Sequence, residues 1–207
     1  HRIARRQRQM CIRDRSMSLP SSGGILIGQM LKVIEDYDIK SFGHNSVKAI
    51  QLLVEAERRA YADRSHFMGD PDYMNLPVYE LMDKEYVVDR MKNFSWDKAT
   101  SSSDVKHGNI ILDESDETTH YSIIDKHGNS VSVTTTLNNS YGSKVFVEEG
   151  GFFLNNEMDD FSSKPGHPNF YGLIGSEANS IQPGKRMLSS MTPSIILKNN
   201  KPSLIVG

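Results

Sequence analysis

The sequence predicts an α+β protein with its helices first and its strands last. Three observations predict this. Between residues 25 and 91, apolar side chains recur at helical spacing. Residues 95–117 are polar, Ser-rich and then acidic, with no period. From residue 118 onward, β-branched runs alternate with turns containing Gly, Asn and Pro.

The elements follow in order. Ser21-Ser22-Gly23-Gly24 reads as a turn into ILIGQMLKVIEDY, with Ser22 placed as a cap. Phe42-Gly43-His44-Asn45 breaks that helix. Ser46 then caps a second one, SVKAIQLLVEAERRAYADRSHF. In it Val47, Ile50, Leu53 and Val54 form one apolar stripe, and Glu55 sits four positions before Arg59. Gly69-Asp70-Pro71-Asp72 is a turn, and a third helix is expected from about Tyr79 to Met91. Residues 95–117 are expected to form an exposed linker. The expected strands are HYSIID, SVSVTTTLN, GGFFLNN, PSIILK and SLIVG. A strand is an odd place for a domain to end, so a longer parent chain is expected.

Composition narrows the class. The chain has 207 residues, 37% hydrophobic and 24% charged, which is ordinary for a globular domain. A formal net charge of -2 argues against a nucleic-acid partner. The single Cys11 excludes an intrachain disulfide framework and a cysteine-based zinc site. Arginines crowd the first 15 residues; removing their six basic and one acidic side chain from totals of 24 and 26 leaves -7. Residues 1–16 therefore read as a disordered basic tail foreign to the rest.

The chemistry concentrates in DETTHYSIIDKHGNSVSVTTTLN. A threonine hydroxyl is a poor nucleophile without a base beside it. If the bond before a threonine is cut, its own α-amino group, titrating near ~8, becomes that base. The same hydroxyl can make the cut by attacking the preceding carbonyl. Glu117-Thr118, where a linker meets a strand, suits such a precursor. A turn at His127-Gly128-Asn129 would pair Lys126 with Ser130. Thr118 would then face Asn138, and His120 would face Thr136. Thr136 and Asn138 would share Thr118's face, within about 5–8 Å across the strands.

TTHYSIIDKHGNSVSVTTTLN, NNEMDDFSSKPG and PGKRMLSSMTPSIIL, in that order, closely resemble the γ-glutamyltransferases (glutathione hydrolases) among the N-terminal-nucleophile hydrolases. LPSSGGILIGQML and AERRAYADRSHFMGDP look like the end of that family's large subunit. The resemblance implies an incomplete four-layer α/β/β/α sandwich. Residues 17–117 would end the large subunit and 118–207 begin the small one, after autocleavage between Glu117 and Thr118. Thr118 would be the nucleophile, assisted by Thr136. Asn138, Glu157 and Asp160 would hold the α-amino and α-carboxylate ends of the γ-glutamyl group, and Ser189 and Ser190 would bind its carboxylate. Residues 165–176, with Tyr171, match the lid loop of bacterial members.

The implied substrates are glutathione and other γ-glutamyl compounds, with water, amino acids or peptides as acceptors. The two subunits would form a heterodimer, with no cofactor and no metal. A periplasmic or secreted bacterial location is implied. The family's oxyanion-hole Gly-Gly pair and substrate-clamping arginine lie outside these residues.

Plainer readings stand beside these. Threonines 134–136 suit any β-sheet face. NNEMDD lacks the ligand spacing and glycine of an EF-hand and fits a solvated loop. Ser189-Ser190 fits a turn before Pro193. His127 reads as an exposed turn residue and His120 as sheet packing. Ser103-Asp104-Val105-Lys106 fits S-x-x-K but lacks its partner motifs. A β-lactam acylase of the same superfamily and an inert fragment are the alternative functions.

Overall fold

The computed structural model describes residues 12–105, 118–170, 172 and 174–207, with residues 12–14 and 118 as backbone only. The chain divides into two compact units. The first comprises residues 1–24, 115–157 and 189–207, and the second residues 25–114 and 158–188.

The strand unit holds β1 (Ile12–Arg15), β2 (Thr118–Ile124), β3 (Ser130–Thr136), β4 (Phe146–Val147), β5 (Phe152–Phe153), β6 (Ser194–Lys198) and β7 (Lys201–Val206). They pair as a β1-β6-β7 sheet and two two-stranded ribbons, β2-β3 and β4-β5. β6 and β7 are joined at Asn199-Asn200, whose φ angles of 54° and 61° suit the primed turn of a tight hairpin. β1 corrects the reading of residues 1–16 as wholly disordered, since Ile12–Arg15 pairs antiparallel with β6. An exposed strand edge is a template for pairing, whatever the charge of the segment that meets it.

The β2-β3 register also differs from the expectation. Thr118 lies opposite Thr136 and His120 opposite Thr134, not opposite Asn138 and Thr136. Asp125 decides this. Its Oδ1 accepts the N–H groups of His127 and Asn129 at 2.8 and 2.9 Å, and its own N–H donates to the Asn129 carbonyl at 3.0 Å. The turn therefore closes over Lys126-His127-Gly128, with Gly128 at φ 86°. A slip of two residues keeps the faces. His120, Ser122, Ser132, Thr134 and Thr136 still share one side. On it, Ser132 Oγ donates to the Val206 carbonyl at 3.1 Å and Ser122 Oγ to the Ile205 carbonyl at 3.4 Å. The ring nitrogens of His120 bond Thr134 and Ser122 at 2.8 and 3.0 Å.

The helical unit is built from α1 (Gly23–Ile34, whose first residues belong to the strand unit), α2 (Ile39–Phe42), α3 (Val47–Phe67), α4 (Val78–Leu81) and α5 (Lys84–Arg90). Ser46 caps α3 as expected, accepting the Ala49 N–H at 3.2 Å. The single third helix becomes two, because Asp83 caps a new start by accepting the Tyr86 N–H at 2.9 Å.

The α3 stripe is reversed. Val47 is 80% exposed, and Ile50, Leu53 and Val54 are also exposed, whereas Leu52 is 0% exposed. One apolar cluster joins Leu52 and Ala56 to Val33, Val87 and Met91, and another joins Ala60 and Tyr61 to Leu26, Met68, Leu81 and Leu188. The same inward face carries Glu55, Arg59 and Asp63. Burial alone would raise the Glu55 carboxyl, but Arg59 and the Thr100 N–H hold it below its ordinary value. Arg59 bonds Glu55 Oε2 at 2.5 Å, the Arg90 carbonyl at 2.7 Å and Asn93 Oδ1 at 2.6 Å.

The first part of the expected exposed linker is fastened to this face. Thr100 donates its N–H to Glu55 Oε1 at 2.9 Å and accepts from Arg58 at 2.8 Å, and Val105 is buried. Trp96 packs edge-on against Tyr37, Phe42 and Phe94. Residues 106–117 of that linker lie outside the described residues.

Candidate active site

The strand unit carries Thr118, Thr136, Asn138, Glu157, Ser189 and Ser190 of the expected site. Thr118 stands opposite Thr136 as the last pair. Thr136 Oγ1 accepts the N–H of Asn138 at 3.0 Å, so the chain folds back directly after the strand. Asn138 takes φ 75°, a conformation asparagine tolerates, and is buried. Its Nδ2 donates to the Asn156 carbonyl at 3.2 Å, and Asn156 Oδ1 accepts the Asn139 N–H at 3.1 Å. The Asn156 N–H closes the loop on the Leu137 carbonyl at 3.1 Å. This ring of bonds connects the segment after Thr136 to the segment that carries Glu157. Asn156 has no role in the sequence reading; its signal was the Asn-Asn before Glu157.

Glu157 opens a 3₁₀ turn, Glu157–Asp160, and its N–H donates to Asn155 Oδ1 at 3.1 Å. Burial pushes its carboxyl up from the ordinary glutamate value. A cation placed beside it would act in the opposite direction and favour the ionised form.

Ser189 and Ser190 sit on a segment held by the Ser-Ser-Gly-Gly turn. Ser22 donates to the Ser189 carbonyl through both its N–H and its Oγ, each at 2.9 Å. Ser21 Oγ donates to the Met191 carbonyl at 2.7 Å. Ser21 and Ser22 are both buried. Gly23 makes the approach possible, since a Cβ there would lie 2.0 Å from Thr192 Cγ2 and 2.7 Å from the Met191 carbonyl oxygen. Ser189 Oγ accepts the Met191 N–H at 3.2 Å, and Ser190 is exposed. The sequence places a turn at residues 21–24 with Ser22 as a helix cap, whereas the Ser22 hydroxyl donates to the Ser189 carbonyl.

The helical unit carries Asp160 and the lid-like loop. Asp160 lines a cavity of about 110 Å³ together with Arg64, Ser162, His167 and Asn179. The loop closes at its base through the Gly166 N–H on the Gly175 carbonyl at 3.0 Å. It is tied back by Asp159, whose Oδ2 accepts the Phe170 N–H at 2.9 Å. Glu117 and Tyr171 lie outside the described residues. Among the described residues, no group of three or more His, Cys, Asp or Glu is arranged to hold a metal ion.

The described ladder thus opens at a threonine with a second threonine opposite it. The chain belongs to the gamma-glutamyltranspeptidase family, whose model matches residues 6–207. It is 48% identical over 192 residues to a glutathione hydrolase proenzyme of Escherichia coli (strain K12), covering 93% of this chain and 33% of that protein. It is 38% identical over 188 residues to an Acylase ACY 1 proenzyme of Pseudomonas sp. (strain SE83), covering 91% of this chain and 31% of that protein. The solved structure of a cephalosporin acylase from Bacillus halodurans matches 94% of this chain and 32% of its own, with a TM-score of 0.69 at 20% identity, a likeness of fold. The chain thus spans about a third of the length of the curated relatives it matches.

Proposed function

We propose that the protein carrying this chain is a proenzyme that cleaves itself between Glu117 and Thr118 and then acts on γ-glutamyl compounds such as glutathione. In self-cleavage the Thr118 hydroxyl attacks the Glu117 carbonyl carbon. The peptide nitrogen leaves as the new α-amino group, and water hydrolyses the resulting ester. In turnover the same oxygen attacks the γ-glutamyl amide, and the α-amino group passes the proton to the departing amine. The γ-glutamyl ester then goes to water or to an amino acid or peptide.

Thr136 assists Thr118. Asn138, Glu157 and Asp160 take the ammonium and carboxylate ends, Ser189 and Ser190 take the carboxylate, and Tyr171 belongs to the lid. The two products of cleavage stay together as large and small subunits in a four-layer α/β/β/α sandwich. Export to a bacterial periplasm or medium is part of the same reading, and cell fractionation tests it.

The observation that best supports this reading is the pairing of Thr118 with Thr136 at the end of β2 and β3. The relatives include an acylase, so the test compares a γ-glutamyl anilide with a glutaryl anilide, which lacks the α-ammonium. Faster release from the γ-glutamyl compound, together with a Glu117-Thr118 cut seen by intact mass, supports the proposal. Preference for the glutaryl compound makes the protein an acylase. An uncut chain inert towards both would remove the enzymatic reading.

A further inference from the structure

Asn179 lines the cavity beside Asp160 but has no role assigned so far, and its side chain holds two segments of the chain. Asn179 is 6% exposed and ends a short 3₁₀ turn, Glu177–Asn179, capped by Ser176. Its Nδ2 donates to the main-chain carbonyl of Asp160 at 2.7 Å. Its Oδ1 accepts the main-chain N–H of Leu188 at 3.0 Å. Its own carbonyl accepts the Ser162 N–H at 2.9 Å, and its N–H reaches the Ser176 carbonyl at 3.2 Å. Leu188 is buried in the apolar cluster around Leu26 and Leu81, and the next residue is Ser189.

This chemistry is specific to an asparagine. One partner is an acceptor only and the other a donor only, so a single amide orientation satisfies both. A carboxylate in its place would turn a lone pair towards the Asp160 carbonyl, and a shorter hydroxyl would span only one of the two segments. With every polar group of Asn179 engaged, the side chain cannot rotate without leaving a buried donor or acceptor unmet.

We infer that Asn179 is a positioning residue for recognition of the γ-glutamyl group: it holds the main chain at Asp160 and at the residue before Ser189 through one rigid amide. The inference rests on the proposed γ-glutamyl activity, in which Asp160 serves the ammonium end and Ser189 the carboxylate end. Asn179 touches no substrate in this account. Loosening it weakens donor binding and leaves the Thr118 chemistry intact.

The test uses the complete protein that carries this chain, with L-γ-glutamyl-p-nitroanilide as the donor. Asn179→Asp is expected to raise KM about tenfold or more while kcat stays within about threefold, the pattern of lost uniform binding. Autocleavage by intact mass should be unchanged. Asn179→Ser carries the same expectation with a smaller electrostatic change. An unchanged KM in a folded variant, or a loss in kcat alone, overturns the inference. So does failure of both variants to accumulate as folded protein, which would assign Asn179 to folding. A parent protein that never releases nitroaniline from this donor refutes the proposed activity instead, which keeps the two failures apart.

Discussion

Asp70 grips Arg186 with both carboxylate oxygens. Oδ1 takes Nη2 at 2.5 Å, and Oδ2 takes Nε at 3.0 Å and the Arg186 main-chain N–H at 2.8 Å. Asp70 is 0% exposed, and Arg186 also reaches Asp72 at 2.7 Å. Arg186 lies three residues before Ser189 in the chain. The Gly-Asp-Pro-Asp turn after α3 is therefore an anchor for the segment that ends at the serine pair.

Asp70→Asn should lower stability by about 1–3 kcal/mol, because a buried amide would turn an N–H towards donors that both carboxylate oxygens now meet. The Arg186 guanidinium holds the Asp70 carboxyl well below the usual carboxylate range. A depressed carboxylate contributes stability above its unfolded pKa near ~3.9, and that contribution fades as pH falls through the folded value. The difference between parent and Asp70→Asn should therefore be full at pH 7 and shrink only in strong acid. Urea denaturation at a series of pH values checks this; a constant difference down to the most acid point would contradict the pairing.

Thr136→Val keeps the shape and removes the acceptor of the Asn138 N–H. We expect self-cleavage slowed by about tenfold or more, since a positioned proton acceptor or donor contributes on the order of 10²–10⁴ to such steps. Thr136→Ser should restore most of it. The fraction of uncut chain over time, read by mass spectrometry, decides the matter, and equal rates in parent and valine variant would remove Thr136 from the mechanism.

Gly23→Ala places a methyl group against Thr192 and the Met191 carbonyl. The main chain must give way, at a cost of about 1–3 kcal/mol. Because the displaced segment carries Ser189 and Ser190, the donor KM should rise along with the loss in thermal stability. Alanine at Gly43, where a Cβ meets nothing within 4 Å but φ is 84°, is the control: some loss of stability with no change in KM.

Burial raises the Glu157 carboxyl. The sign is opposite to that of Asp70. A raised carboxylate favours the folded state below its unfolded pKa, and that advantage disappears as pH rises through the folded value. Glu157→Gln should thus be as stable as the parent at neutral pH, or more so. In the proposed function the ionised Glu157 holds the donor's ammonium, so kcat/KM of the parent should fall as pH drops through the raised pKa, and Glu157→Gln should flatten that limb while raising KM. An unaltered acid limb in the variant would separate Glu157 from the ammonium.

The local structure around the candidate site was legible where it depends on residue type at short range. A threonine opening a strand after a linker, a second threonine on the partner strand, and a Glu-x-x-Asp turn after paired asparagines all follow from local letters. The register was off by two because the Asp125 carboxylate, not the Gly-Asn pair, closes the turn, and a side chain bonding its own backbone leaves little trace in periodicity. The α3 stripe misled for another reason. Its inward face buries charges, and Glu55 with Arg59 is stable there only because Thr100, Asn93 and the Arg90 carbonyl meet their remaining bonds.

The amino-acid order alone determined the helix-then-strand plan, the Ser46 cap, the Thr118 boundary and the shared face of the hairpin hydroxyls, because each is set by neighbours a few residues apart. Tertiary structure decided which side of α3 is core, that Ser21, Ser22 and Gly23 hold Ser189, and that Asp70 and Asn179 fasten the approach to the serine pair. Those contacts join residues more than a hundred positions apart, or depend on burial. Their energy comes from desolvated partners meeting, which no single stretch of sequence encodes.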